Sequence, residues 1–244
     1  MKVAPRRYAS AQRVATVAWS YARAAVYAPD LFQALADVAL DAKDDLLPVD
    51  VANIAWGFAA AGETDRGDLY EALFDRATSL FSEFKPHELA NVVWSYAGLD
   101  DPEPCRRMWA LMFSRPVDVA AIDDVAKSQL QQAYVRLTKD ARVTGEIAPL
   151  PAPDRAALVA SFRETDSSLG SRTQKAVSNA LTQIGWDHLD EHYDAESGLS
   201  LDMAQLERKT AVEFDGPARR PSGGTRPSAL GFCFEKDDTR IPTP

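Results

Sequence analysis

The chain has 244 residues, 46% of them hydrophobic, and its 27 basic and 36 acidic side chains leave a formal charge of −9. That is enough apolar material for one large core or two small ones, and no apolar run reaches the roughly 18 residues of a membrane span. Spread evenly, such an acidic balance repels polyanions and argues against a general nucleic-acid binder, but before Asp30 the only charged side chains are Lys2, Arg6, Arg7, Arg13 and Arg23.

One phrase recurs along the first hundred residues: Ala15-Thr-Val-Ala-Trp19-Ser-Tyr21-Ala22, Ala52-Asn-Ile-Ala-Trp56-Gly-Phe58-Ala59 and Ala90-Asn-Val-Val-Trp94-Ser-Tyr96-Ala97. The tryptophans stand 37 and 38 residues apart, a period that predicts stacked helical hairpins. Apolar residues at −5, −4, −2, −1, +2 and +3 from each tryptophan form one broad helical stripe, and its many alanines allow helices to approach closely. An acid-free, arginine-bearing start also suits an organelle transit peptide. Ala15 to Ala22 already belong to the first repeat, however, so the chain is expected to begin inside a longer protein.

Pro48 and Pro86 stand where a helix can lose an N–H without cost, Asp50 and Glu88 put an acid in the first turn, and Gly62 and Gly98 mark the stops. A second apolar segment follows each time, at Leu31 to Leu35, Leu69 to Phe74 and Met108 to Phe113, so each unit reads helix, turn, helix. A degenerate fourth unit begins near Ile122, with Val125, Leu130, Tyr134 and Leu137 at helical spacing but no tryptophan. The repeats thus span 1–145. From Glu146 to Asp154 the alternate prolines 149, 151 and 153 predict a helix-free linker, and a short helix follows near Ala156 to Phe162, so that 146–168 joins two parts.

Ser171 to Ile184 reads as an amphipathic helix closed by Gly185. Leu199 to Leu206 and Thr210 to Gly216 alternate apolar and polar residues and predict a hairpin, with Glu207-Arg208-Lys209 between them. Cys105 and Cys233 are far apart and outside any C-x-x-C pair, which points to two reduced thiols.

The tryptophan phrases resemble octotricopeptide or heptatricopeptide repeats and the helical part of FAST-kinase-like proteins. Residues 169–217 resemble a RAP domain through Ser171, Gln174, Ile184-Gly185, Glu191, Ser200-Leu-Asp202 and above all Ala211-Val-Glu-Phe-Asp-Gly-Pro217. The resemblance implies a mainly α chain: a helical-hairpin repeat solenoid followed by a partial α+β, restriction-endonuclease-like RAP domain. It further implies a role in processing, stabilising or translating organelle transcripts or rRNA, in the mitochondrial matrix or chloroplast stroma, with other RNA-processing proteins as further partners. Ala218-Arg219 stands where the family has a histidine, and the Pro/Gly/Arg-rich segment 218–244 cannot complete a sheet, so the RAP domain reads as truncated.

A nuclease in that fold needs acids around Mg²⁺ or Mn²⁺. Asp202, Glu213 and Asp215 are the candidates, with Asp202 and Asp215 as metal ligands and Glu191 as a weaker addition. On a strand Glu213 and Asp215 share a face, and Asp202 joins them across a two- or four-residue turn but not a three-residue one. The position of the usual catalytic lysine holds Asp215, which favours a fold-stabilising or RNA-positioning network over hydrolysis. His188-Leu-Asp-Glu191-His192 matches a zinc-protease pattern by letter, but that chemistry needs a helix, and a surface strand is expected here.

In the repeats, position −3 (Thr16, Asn53, Asn91) and position −6 (Arg13, Asp50, Glu88) vary as base-reading positions do. Alternatively, Asn and Thr merely hydrogen-bond between neighbouring units; a separate rival for the whole chain is a protein-interaction scaffold of helical repeats without RNA binding.

Overall fold

The computed structural model describes residues 5–26, 28–166, 172–194, 198 and 200–212. Glu213, Asp215, the Gly216-Pro217 pair, Cys233 and the segment 218–244 lie outside the described residues. The described chain is mainly helical, with a small three-stranded antiparallel sheet near its C-terminal end.

The helices are α1 (Pro5–Arg23), α2 (Pro29–Asp41), α3 (Pro48–Ala60), α4 (Gly67–Ser79), α5 (Pro86–Ala97), α6 (Glu103–Met112), α7 (Asp124–Lys139), α8 (Ala152–Asp166) and α9 (Arg172–Gln183). Pro48 and Pro86 open α3 and α5 at N1, and Gly62 takes φ 78° just past the end of α3. Short 3-10 turns at Lys43–Asp45, Phe81–Glu83 and Val119–Ala121 precede α3, α5 and α7 at a constant 38-residue spacing. No propensity argument applied to one segment alone shows these turns; their regular recurrence does.

The odd-numbered helices lie side by side in chain order, α1 on α3, α3 on α5 and α5 on α7, and each pairs with the helix after it. Their apolar stripes form one continuous core, in which Ala18, Ile54, Ala55, Val92 and Leu130 are fully buried. A close approach of α1 and α3 falls at Gly57, where an added Cβ would lie 2.8 Å from the carbonyl carbon of Ala18. A ring of each of α2, α4 and α6 meets the +2 aromatic of the next odd-numbered helix. Phe32 meets Phe58 edge-on at 5.0 Å, Tyr70 meets Tyr96 edge-on at 5.3 Å, and Trp109 meets Tyr134 at 5.6 Å. Arginines tie successive hairpins together: Arg76 Nε donates to the Leu46 carbonyl at 2.8 Å, Arg115 to that of Phe84 at 3.3 Å, and Arg136 to that of Leu99 at 3.3 Å.

The predicted helix-free linker needs correction at its end. α8 begins at Ala152 and contains Pro153, because a proline in the first turn gives up an N–H that has no intrahelical acceptor there. With Leu158 fully buried, α8 packs along α7, so the fourth odd-numbered helix also has a partner.

Cys105 is fully buried in this core, and burial pushes its thiol up to about 12. With almost no thiolate and no access, it is expected to resist iodoacetamide at pH 8 until urea unfolds the chain. Peptide mass mapping checks this, and labelling of Cys105 in the native chain would contradict the packing.

The sheet comprises β1 (Leu189–Tyr193), β2 (Ser200–Gln205) and β3 (Thr210–Val212), paired in that order. The turn between β2 and β3 has four residues, Leu206 to Lys209, and pairs Met203 with Val212.

Candidate nucleic-acid interface

Positions −3 and 0 of the recurring phrase fall on the outward edge of the odd-numbered helices. Thr16 and Trp19 are exposed, Asn53, Trp56 and Asn91 half-buried, and Trp94 buried. Trp56 and Trp94 stack at 6.2 Å, with 20° between their planes, and Trp94 Nε1 donates to Gln132 Oε1 at 3.1 Å. Gln132 lies 38 residues after Trp94, so α7 continues the phase with a glutamine in place of the fourth tryptophan. The expected fourth unit is therefore present as α7, and Gln132 is the residue that keeps its phase.

The same phase puts Gln129 at position −3 of α7, and its buried Oε1 has no hydrogen-bond partner. Asn53 and Asn91 likewise make no side-chain hydrogen bond among the described residues. The Thr16 hydroxyl donates within its own helix, to the Gln12 carbonyl at 2.9 Å. The side chains of Thr16, Asn53 and Asn91 therefore do not bond units together, contrary to that alternative. Two half-buried side-chain amides, Asn53 on α3 and Asn91 on α5, thus keep donors and acceptors unspent, while the Gln129 acceptor on α7 is out of reach of solvent.

Position −6 is different, and its reading as a base-contacting position is corrected. Asp50 and Glu88 are buried, and their carboxylates accept the backbone N–H of Leu47 at 3.0 Å and of Lys85 at 2.9 Å, capping α3 and α5. Burial raises the Asp50 carboxyl above its ordinary range, while the Leu47 N–H pulls in the opposite direction. Only Arg13 remains exposed at this phase. On the same helix the Arg23 guanidinium lies 5.8 Å from the centre of the Trp19 ring.

The second cluster sits on the sheet. β1 and β2 pair Asp190 with Met203 and His192 with Leu201, which sets Glu191 across from Asp202. Gln174 Nε2, from α9, donates to Glu191 Oε1 and to Asp202 Oδ1, both at 2.9 Å. Carboxylates only accept, so the amide must turn its nitrogen to them. Three of the residues that carry the RAP resemblance thus meet in one place. Glu191 holds φ 53° within its strand, a left-handed conformation that costs a non-glycine residue about 1–3 kcal/mol.

This cluster does not fit Mg²⁺ or Mn²⁺, because the Gln174 N–H groups point at the oxygens that a cation would need. Among the described residues no group of three or more His, Cys, Asp or Glu is placed to hold a metal ion. Of the other expected ligands, Glu213 and Asp215 lie outside the described residues. His188 precedes β1 and His192 lies on it, with no helix to present them together. His188 is engaged through both ring nitrogens, Nδ1 at 2.8 Å from the Trp186 carbonyl and Nε2 at 2.9 Å from Ser178 Oγ, as a structural histidine is. No described helix is long and apolar enough to cross a membrane.

No protein-family model matches the sequence, and a search of curated proteins returns no significant match.

Proposed function

We propose that the chain binds single-stranded RNA along the outward edge of α1, α3, α5 and α7, without cleaving it. The half-buried, unbonded amides of Asn53 and Asn91, at one phase of α3 and α5, carry this reading. An amide offers a donor and an acceptor side by side, as a base edge requires, and the 38-residue spacing sets Asn53 and Asn91 at the same phase of successive hairpins. Trp19 and Trp56 supply apolar surface beside them, while Arg13 and Arg23 supply positive charge at the α1 end of an otherwise acidic chain.

On this reading the hairpins form a helical-repeat array, the sheet and α9 form the partial RAP domain, and the Gln174–Glu191–Asp202 network is structural. The resemblance makes organelle transcripts or rRNA, in the mitochondrial matrix or chloroplast stroma, the expected targets.

Fluorescence anisotropy with labelled single-stranded RNA at low and physiological salt tests the proposal. Replacing Asn53 and Asn91 together by alanine is expected to weaken binding about tenfold or more, since one base-edge contact is worth about 1–3 kcal/mol. Absence of binding even at low salt would remove the RNA reading and leave the helical array as a protein-interaction scaffold. Cleavage of the RNA with Mg²⁺ or Mn²⁺ would overturn the non-catalytic part.

A further inference from the structure

We infer that the indole of Trp56 is a stacking platform for one nucleobase, which enters from the α1 side with its edge at Asn53. The inference rests on the RNA-binding reading and adds which ring stacks a base and which does not. At position 0 of the four odd-numbered helices stand Trp19, Trp56, Trp94 and Gln132. Trp94 is fully engaged: it is 6% exposed, lies against Trp56 and donates through Nε1 to Gln132 Oε1. Trp56 is half-buried, its ring meets only that of Trp94, and its Nε1 has no acceptor among the described residues.

Helix order decides which side of Trp56 is open. α3 lies between α1 and α5, so the Trp94 ring covers the α5 side of Trp56, and the other side is turned to α1. Trp19 stands there at the same phase, yet no ring contact joins Trp19 to Trp56 among the described residues. Separation of the helices is not the reason. Gly57, the next residue after Trp56, brings α3 so close that an ideal Cβ on it would lie 3.0 Å from Trp19 N. The Trp19 ring has the Arg23 guanidinium over it instead, at 5.8 Å. The stack of rings is thus closed between α3 and α5 and interrupted between α1 and α3.

The chemistry beside that interval selects a base. Bases stack on aromatic side chains through their flat π faces, and an indole is the largest such surface a protein offers. Asn53 lies three residues before Trp56, hence on the same face of α3, and offers a donor and an acceptor to a base edge. The Trp56 N–H is a further donor. A phenyl ring from a protein partner would cover the indole and leave all three polar groups unspent. A phosphate is not repelled here, because Asp50, the one acid of α3, is buried and capped on the Leu47 N–H, and α1 contains no acid. At α5 the equivalent place is filled, since Trp56 itself takes the α3 side of Trp94. Between α1 and α5 the array therefore stacks one base, not one per hairpin.

Two labelled oligomers test this by fluorescence anisotropy at low salt: decaadenylate, and an abasic ribose-phosphate decamer that keeps the charges and lacks the bases. The parent chain should bind decaadenylate the more tightly. Trp56→Leu should weaken decaadenylate binding about tenfold, as loss of one stacked base does, and leave the abasic decamer unchanged. Trp56→Phe, which keeps a ring, should retain most of the affinity. Far-UV circular dichroism establishes that each variant folds. A second readout does not depend on the leucine variant: the emission that the parent has and Trp56→Phe lacks belongs to Trp56, and decaadenylate should quench it while the abasic decamer does not.

Equal decaadenylate binding by the parent and folded Trp56→Leu overturns the inference and leaves the RNA reading standing. An equal loss with both oligomers, or unquenched Trp56 emission in the saturated complex, assigns Trp56 a purely structural role and overturns it as well. Failure of the parent to bind either oligomer removes the RNA reading itself, and this inference with it.

Discussion

Gly57→Val is expected to destabilise the chain by about 3 kcal/mol, near the upper end of the usual cost of overpacking a core. The first added carbon already lies 2.8 Å from the Ala18 carbonyl carbon and 3.0 Å from both Ala18 O and Trp19 N. All three are backbone atoms of α1 and cannot rotate away, so the two helices must separate. Glycine is itself a poor helix former, and Gly57→Ala recovers about 1 kcal/mol of propensity, so alanine isolates a smaller net loss. Valine recovers less propensity and adds two methyl groups at the contact. Ser95→Ala, at the same phase of α5, should stay within about 1 kcal/mol because a Cβ is already accommodated there and the lost hydroxyl bonded only its own helix, at Asn91 O. Urea unfolding followed by circular dichroism measures the series. A Gly57→Val chain as stable as the parent would mean that α1 and α3 do not approach as described.

The second large effect is at a tryptophan outside the recurring phrase. Trp109→Ala should cost about 3–5 kcal/mol, the usual loss for a fully buried large aromatic. Trp109 is 0% exposed, its ring lies 4.6 Å from Phe113 and 5.6 Å from Tyr134, and its Nε1 donates to the Ala148 carbonyl at 3.0 Å. Truncation empties the contact between α6 and α7 and leaves that carbonyl without its donor. Trp19→Ala should cost about 1 kcal/mol or less, since Trp19 is 41% exposed. Urea midpoints of the two variants decide the matter, and equal costs would contradict the burial difference. Trp19, which helps reveal the period, thus matters less to the core than Trp109, which lies outside the recurring phrase.

The hairpins were legible because one bulky residue, held in phase by stacking, repeats a signal that a single helix gives weakly. In α7 the fourth unit was legible from its helical spacing, but not the glutamine that keeps the phase without the ring, and at the start of α8 Pro153 looked like a breaker but occupies a first turn. Position −6 misled for a different reason. Variation among Arg13, Asp50 and Glu88 resembles reading, yet the two acids serve their own helix termini, and only geometry separates a cap from a contact. On the sheet, the hairpin of β2 and β3 followed from alternation and a short turn. The meeting of Gln174, Glu191 and Asp202 did not, because it depends on cross-strand register and on a left-handed Glu191, neither of which a sequence of alternating residues specifies.

The arginines that join successive hairpins reach both kinds of acceptor: Arg76 and Arg115 end on the carbonyls of Leu46 and Phe84, while Arg66 and Arg107 pair with Asp37 and Glu71 of the preceding hairpin. A hydrogen bond from a guanidinium to a neutral oxygen involves no opposing charge, so dissolved ions screen it far less than they screen an exposed ion pair. Contacts to phosphate behave oppositely and weaken steeply as salt rises. On the proposed RNA-binding reading, strong brine should therefore strip RNA from the protein and weaken the exposed ion pairs, while the carbonyl contacts of Arg76 and Arg115 persist.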